Sequence, residues 1–138
     1  MSNNEINNIN EIVELLKNEL DFTIILFYAP WCGHCTKMKP HFDAVSTEFN
    51  QHNFCKVDCT KKENEIIPSQ FNIEAFPTIV IVDKDTIVHN KAGGLNKEQL
   101  FDVITSKTNH KTGGGGYDIQ TDYRKRYSYD YCNIYDCN

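Results

Sequence analysis

Arginine is nearly absent from this chain. Among 138 residues only Arg124 and Arg126 carry a guanidinium, and both lie near the C-terminal end. With a formal net charge of −5, the composition offers no bulk cationic field for nucleic acid. Long apolar runs are missing too. The longest, Thr23 to Pro30, falls far short of the ~20 residues a membrane-spanning helix needs. The first twenty residues have neither a basic start nor an apolar stretch, so no secretory signal is expected. The last residues, Tyr135-Asp136-Cys137-Asn138, are not a retention signal for the endoplasmic reticulum. No internal repeat is visible. These absences lead to the expectation of a cytoplasmic protein that binds neither nucleic acid nor membrane. The length allows one domain with a core.

What is present is concentrated in Trp31-Cys32-Gly33-His34-Cys35. Two thiols two residues apart can alternate between a dithiol and an internal disulfide. The preceding Thr23-Ile24-Ile25-Leu26-Phe27-Tyr28 reads as a buried strand, and the segment after reads as a helix. A Cys-x-x-Cys at such a junction points to redox chemistry. Unpaired N–H groups and the positive dipole end of the helix favour a thiolate on its first cysteine. Six cysteines without a signal segment fit redox or metal chemistry better than a disulfide framework. The competing readings of the motif are a zinc half-site or a structural pair.

Hydrophobic spacing predicts the order (β)αβαβαββα. Residues 3–7 could add an edge strand. Asn8-Ile9-Asn10-Glu11 resembles a capping box for a helix from Ile9 to about Leu20. Phe22 to Ala29 is a strand buried on both faces. A helix from Cys32 to about Phe49 contains Pro40, which should kink it. Asn53 to Asp58 is a strand, and Lys61 to Phe71 a short helix interrupted or kinked by Pro68. Thr78 to Val82 and Thr86 to Asn90 form a hairpin around Asp83-Lys84-Asp85. Asn96 caps a last helix to about Ser106. The pattern implies an α/β fold, a mixed central sheet with helices on both faces. After Gly113 to Gly116 the chain holds six tyrosines, four aspartates, three basic residues and only two aliphatics. It cannot bury a core, so residues 110–138 are expected to be a flexible, disordered tail on a domain of residues 1–109.

Phe27-Tyr28-Ala29-Pro30-Trp31-Cys32-Gly33-His34-Cys35 resembles the catalytic domains of protein disulfide isomerases, within the thioredoxin superfamily. Pro40, Lys56-Val57-Asp58-Cys59-Thr60 and Phe76-Pro77-Thr78 match at the expected places. The resemblance covers about four fifths of the chain and implies a thioredoxin-like fold. It implies that Cys32 is an exposed nucleophile and Cys35 the resolving thiol. It also implies that Phe76–Pro77 is a cis peptide at which an extended substrate chain pairs. Trp31, Gly33, His34, Lys56, Phe76 and Pro77 support the site. Gly33 lets the turn close without a side chain in the way. His34 stabilises the thiolate, which makes the disulfide more oxidising, toward ~ −180 mV rather than ~ −270 mV. No metal or organic cofactor is needed, because the sulfurs carry the chemistry.

Two departures from the resemblance concern Cys35. The usual buried acid six residues before Cys32 is Leu26 here, although its facing lysine is present as Lys56. A buried lone ammonium is costly, so Lys56 should reach solvent or another partner. The loop Ala92-Gly93-Gly94-Leu95-Asn96-Lys97 also lacks the arginine common in isomerase domains. Slow resolution by Cys35 is therefore expected.

Cys55 and Cys59, four residues apart in a strand, would lie ~13 Å apart, too far for a disulfide, which needs Cα atoms within about 7 Å. Cys55 reads as a small core residue. Cys132 and Cys137 have nothing around them to bury them. The segment from Thr112 to Cys132 spans roughly 25 Å root-mean-square. The domain has a radius of gyration near ~13 Å. The tail thus reaches its own active site at an effective concentration on the order of millimolar. Cys132 and Cys137 are candidates for a shuttle dithiol, against incidental thiols in a loose tail. His41, His52, His89 and His110 lack ligand spacing and read as surface residues.

The expected function is thiol–disulfide exchange with protein substrates, isomerase- or oxidase-like, by a monomer recycled by a reductase, an oxidase or glutathione. The alternatives are a cytosolic thioredoxin-like reductase and a non-enzymatic redox-sensing adaptor. A virion component belongs with the latter if the chain comes from a large DNA virus. The A/T-rich coding bias behind its abundant Asn, Ile and Lys also fits a protist.

Overall fold

A computed structural model describes residues 3–17, 22–84, 86–108 and 132–133. The strands are β1 (Asn3–Ile6), β2 (Thr23–Tyr28), β3 (Asn53–Asp58), β4 (Ala75–Phe76), β5 (Thr78–Asp83), β6 (Thr86–Ala92) and β7 (Cys132–Asn133). The helices are α1 (Ile9–Leu16), α2 (Gly33–Ser46), α3 (Ile67–Gln70) and α4 (Lys97–Thr108), with a 3-10 turn at Lys62–Asn64. Five strands form one sheet in the order β1-β3-β2-β5-β6, and β4 pairs with β7 apart from it. β1 and β2 run parallel to β3. β2–β5 and β5–β6 are antiparallel, so the sheet is mixed.

β2 is the central strand of the five. Every residue from Thr23 to Tyr28 is buried, and only a strand covered on both faces tolerates such a run. Removing one large apolar side chain from water contributes about 1.5–3 kcal/mol, and β2 with β5 supplies most of the sheet's share. α2 adds Cys35, Met38, Phe42 and Val45 to the core, residues that recur at helical spacing on one stripe. Phe42 meets Phe54 edge-on, with centroids 5.7 Å apart. Phe49 reaches Phe101 of α4 at 5.2 Å.

Local chemistry sets the helix ends. Asn8 Oδ1 accepts from Glu11 N at 3.2 Å. Glu11 reaches back past the cap to accept from Asn7 N at 2.8 Å. Asn96 and Gln99 close a reciprocal box at 2.8 and 2.9 Å. The segment from Lys61 to Phe71 is interrupted, as a 3-10 turn followed by α3, but not at Pro68, which stands in the first turn of α3, where the missing N–H has no partner to lose. Pro40 lies inside α2, which continues through it. Lys84 turns the β5–β6 hairpin at φ 61°. The tail expected to be flexible lies outside the described residues, except for the backbone of β7.

Candidate active site

β2 ends against the start of α2, and the junction carries the two thiols. Cys32 is the N-cap of α2, with extended backbone angles and a side chain that does not cap the helix. Its N–H donates to the Ala29 carbonyl at 3.1 Å, and its carbonyl accepts from Thr36 N at 3.1 Å. The Cys32 Sγ instead donates to the Phe76 carbonyl at 3.7 Å, across forty-four residues of sequence. The Phe76–Pro77 peptide is cis, as the resemblance implied. Gly93, at φ 134°, donates its N–H to the Pro77 carbonyl at 2.8 Å. That φ favours glycine. Trp31 is 40% exposed and packs edge-on against Phe76 at 5.9 Å.

Two expectations about this turn are corrected. Cys32 was expected to be exposed but is 0% exposed, because its sulfur turns inward to the Phe76 carbonyl. Gly33 was expected to spare the turn a clash, yet a Cβ there would meet nothing within 4 Å. The position faces open space, so closure of the turn does not depend on a missing side chain.

Cys35 is one turn deeper and buried. Burial holds its thiol well above the usual thiol range. A hydrogen bond with the Ala29 backbone opposes this, while Cys32 and the charge of Cys59 add to it. Leu26, in the place of the expected acid, is fully buried and stands opposite Lys56 in the β2–β3 register. Lys56 has found another partner: its Nζ lies 2.7 Å from Asp43 Oδ1, with the two side chains 13% and 48% exposed. Asn3 Nδ2 donates to the same oxygen at 2.6 Å. Asp43 was missed in the sequence. The only signal was the need of Lys56 for a partner, and nothing in the sequence says which carboxylate α2 presents to β3.

His34 lines a cleft of about 230 Å³ with Lys37, Met38, His41 and Leu95, beside the motif. Tyr28 donates to Glu5 and lies under the Lys39 ammonium, 4.1 Å from the ring centroid. Burial, then Glu5, pushes its phenol pKa upward. Cys55 is a buried core residue, as expected. Cys59 follows the end of β3, and its N–H donates to the Tyr28 carbonyl at 2.9 Å. Burial, then the charge of Asp58, pushes its thiol up to about 12. Cys32, Cys35, Cys55 and Cys59 are thiols, not disulfides. His52 and His89 are buried, contrary to the surface placement expected. His52 stacks on Phe49 at 5.7 Å and meets Phe22 edge-on at 5.3 Å; rings with large apolar faces are drawn into such clusters. His41 is half-buried, and His110 lies outside the described residues. Among the described residues no group of His, Cys, Asp or Glu is arranged to hold a metal ion, and no helix is long and apolar enough to cross a membrane.

Of the two shuttle candidates in the tail, only the backbone of Cys132 is among the described residues. The backbone of β7 pairs antiparallel with β4, with Cys132 opposite Phe76 and Asn133 opposite Ala75. Cys137 lies outside the described residues.

A mixed sheet, a Cys-x-x-Cys at the head of a helix and a cis-proline loop against the first sulfur together define an α/β dithiol protein. The chain belongs to the thioredoxin family, whose sequence profile matches residues 5–106. It is 36% identical to protein disulfide-isomerase 1 of Dictyostelium discoideum over 93 residues, covering 63% of this chain and 26% of that protein. It is 35% identical over 108 residues to the probable protein disulfide-isomerase ER-60 of Schistosoma mansoni, covering 70% and 22%. The chain thus spans between 13% and 26% of the length of these and other curated relatives it matches. Among solved structures it is similar to Fasciola hepatica thioredoxin, with 26% identity, a TM-score of 0.66 and coverage of 74% of this chain and 96% of that one.

Proposed function

We propose that the chain is a thiol–disulfide oxidoreductase that exchanges disulfides with protein substrates through Cys32 and Cys35, in an isomerase- or oxidase-like role. One observation carries this reading: the Cys32 sulfur sits against the carbonyl of Phe76, the residue before the cis-proline. A substrate strand lying along β4 would bring its own sulfur beside Cys32. The Cys32 thiolate attacks a substrate sulfur, the substrate S–S bond breaks, and one substrate thiolate leaves. Cys35, once deprotonated, attacks the Cys32 sulfur, closes the Cys32–Cys35 disulfide and releases the second substrate thiol. The reverse sequence oxidises a substrate dithiol.

The isomerase-like assignment draws on Cys-Gly-His-Cys and on the names of the relatives. The absence of an arginine before α4 favours the reductase alternative. Titration of the Cys32–Cys35 couple in glutathione buffers separates them: ~ −180 mV is expected, and a value near ~ −270 mV would mean a reductase. Refolding of scrambled ribonuclease should outpace reduction of insulin. Inactivity in both assays would favour an adaptor.

A further inference from the structure

β4 is two residues long and lies outside the five-stranded sheet. Its edge offers backbone groups to any extended chain that passes. In this molecule the passing chain is its own C-terminal segment. Paired residues of an antiparallel ladder have Cα atoms about 4.5–5.5 Å apart. Cys132 therefore stands one strand spacing from Phe76, the residue whose carbonyl contacts the Cys32 sulfur. Cys55, by contrast, is held within the sheet opposite Ile25 and Asn4. The residues leading into β7, Tyr127-Ser128-Tyr129-Asp130-Tyr131, alternate aromatic and small polar types, the two-residue period of a strand.

We propose that the C-terminal segment is a tethered substrate of the chain's own active site, presented as a strand on β4 so that Cys132 exchanges with Cys32. The proposal rests on the exchange chemistry assigned above and names one substrate for it. Starting from the oxidised site, the Cys132 thiolate attacks the Cys32 sulfur. The Cys32–Cys35 bond breaks, the Cys32–Cys132 bond forms, and Cys35 leaves as a thiolate and takes up a proton. The Cys137 thiolate then attacks the Cys132 sulfur. A Cys132–Cys137 disulfide forms and Cys32 leaves as a thiolate. Two electrons have passed from the tail dithiol to the active-site disulfide, and the reverse sequence serves a reduced site.

The test uses the full chain carrying Cys35→Ala and Cys137→Ser, so that neither resolving thiol can release the mixed disulfide, with Cys35→Ser as a second variant should the first fold poorly. Oxidised glutathione is the probe. Cys32 displaces one glutathione and forms Cys32–glutathione; Cys132 then displaces the other. After alkylation, a non-reducing digest read by mass spectrometry should show Cys32–Cys132 as the main product, at a yield independent of protein concentration. Adding Cys132→Ser should abolish it and leave Cys32–glutathione. Persistent Cys32–glutathione with Cys132 intact would overturn the proposal while leaving exchange at Cys32 standing. An equal yield of Cys32–Cys137 from the chain carrying Cys35→Ala and Cys132→Ser with Cys137 intact would also overturn it, since an unregistered tail gives that result. Failure of Cys32 to form any mixed disulfide would overturn both the proposal and the oxidoreductase reading beneath it.

Discussion

Cysteine chemistry in this chain divides by surroundings. Cys35 and Cys55 are both buried, and burial raises the pKa of both thiols. Cys35 is part of the dithiol motif, while Cys55 packs in the core under the charge of Glu5. Cys55 therefore reports pH linkage without touching the reaction. Below pH ~8.5 its thiol is protonated in both the folded and the unfolded chain. Above that, the unfolded chain releases the proton while the folded chain keeps it. Stability then falls as pH rises, by at most about 1.4 kcal/mol per pH unit for one thiol. Urea unfolding under reductant from neutral pH to pH ~10 should show this fall. Cys55→Ala should make the fall shallower by one thiol's share, leaving the part due to Cys35 and Cys59, and an unchanged slope would contradict the linkage. The core role of Cys55 was legible because it alternates with Phe54 and Lys56 in a strand. The burial of Cys32 was not legible, because its cover comes from Phe76, forty-four residues away.

Among the elements, the starts of α1 and α4 were well forecast, since a cap is a contact between residues three apart. Asn96 and Gln99 bond reciprocally at the head of α4, and α4 buries Leu100, Val103 and Ile104. Replacing Asn96 by Ala should lower stability by about 1 kcal/mol, while Asn96→Asp should cost little. Equal urea midpoints for Asn96→Ala and the unsubstituted chain would show that the box contributes nothing. β3 was read with its bounds intact. β4 was missed because two residues carry no periodicity. It is a strand only because another segment pairs with it, and that segment comes from the far end of the chain.

Across the whole molecule, the consequence of Leu26 depends on three elements at once. Leu26 of β2 stands opposite Lys56 of β3, and Lys56 is drawn to Asp43 of α2. Lys56 thus has a carboxylate, but not one at the position of Leu26, and Cys35 keeps its proton tightly. Leu26→Glu should therefore speed insulin reduction at neutral pH, several-fold if it works as a general base. It should also lower stability, because a carboxyl enters a buried site. A variant that folds but turns over no faster would rule out the missing acid as the cause of slow resolution.

The residue order by itself determined the chemistry and the strand-and-helix sequence. A Cys-x-x-Cys between a buried run and a helix, capping residues three apart, and strand alternation are all local patterns. The tertiary structure alone decided the partners that lie far apart in the chain. It turned Cys32 onto the Phe76 carbonyl, gave Lys56 to Asp43, and laid Cys132 against the edge of β4. Those outcomes join residues 13 to 56 positions apart. Pairings at such separations are selected by packing and by the demand of backbone and charged groups for partners, which no local pattern encodes.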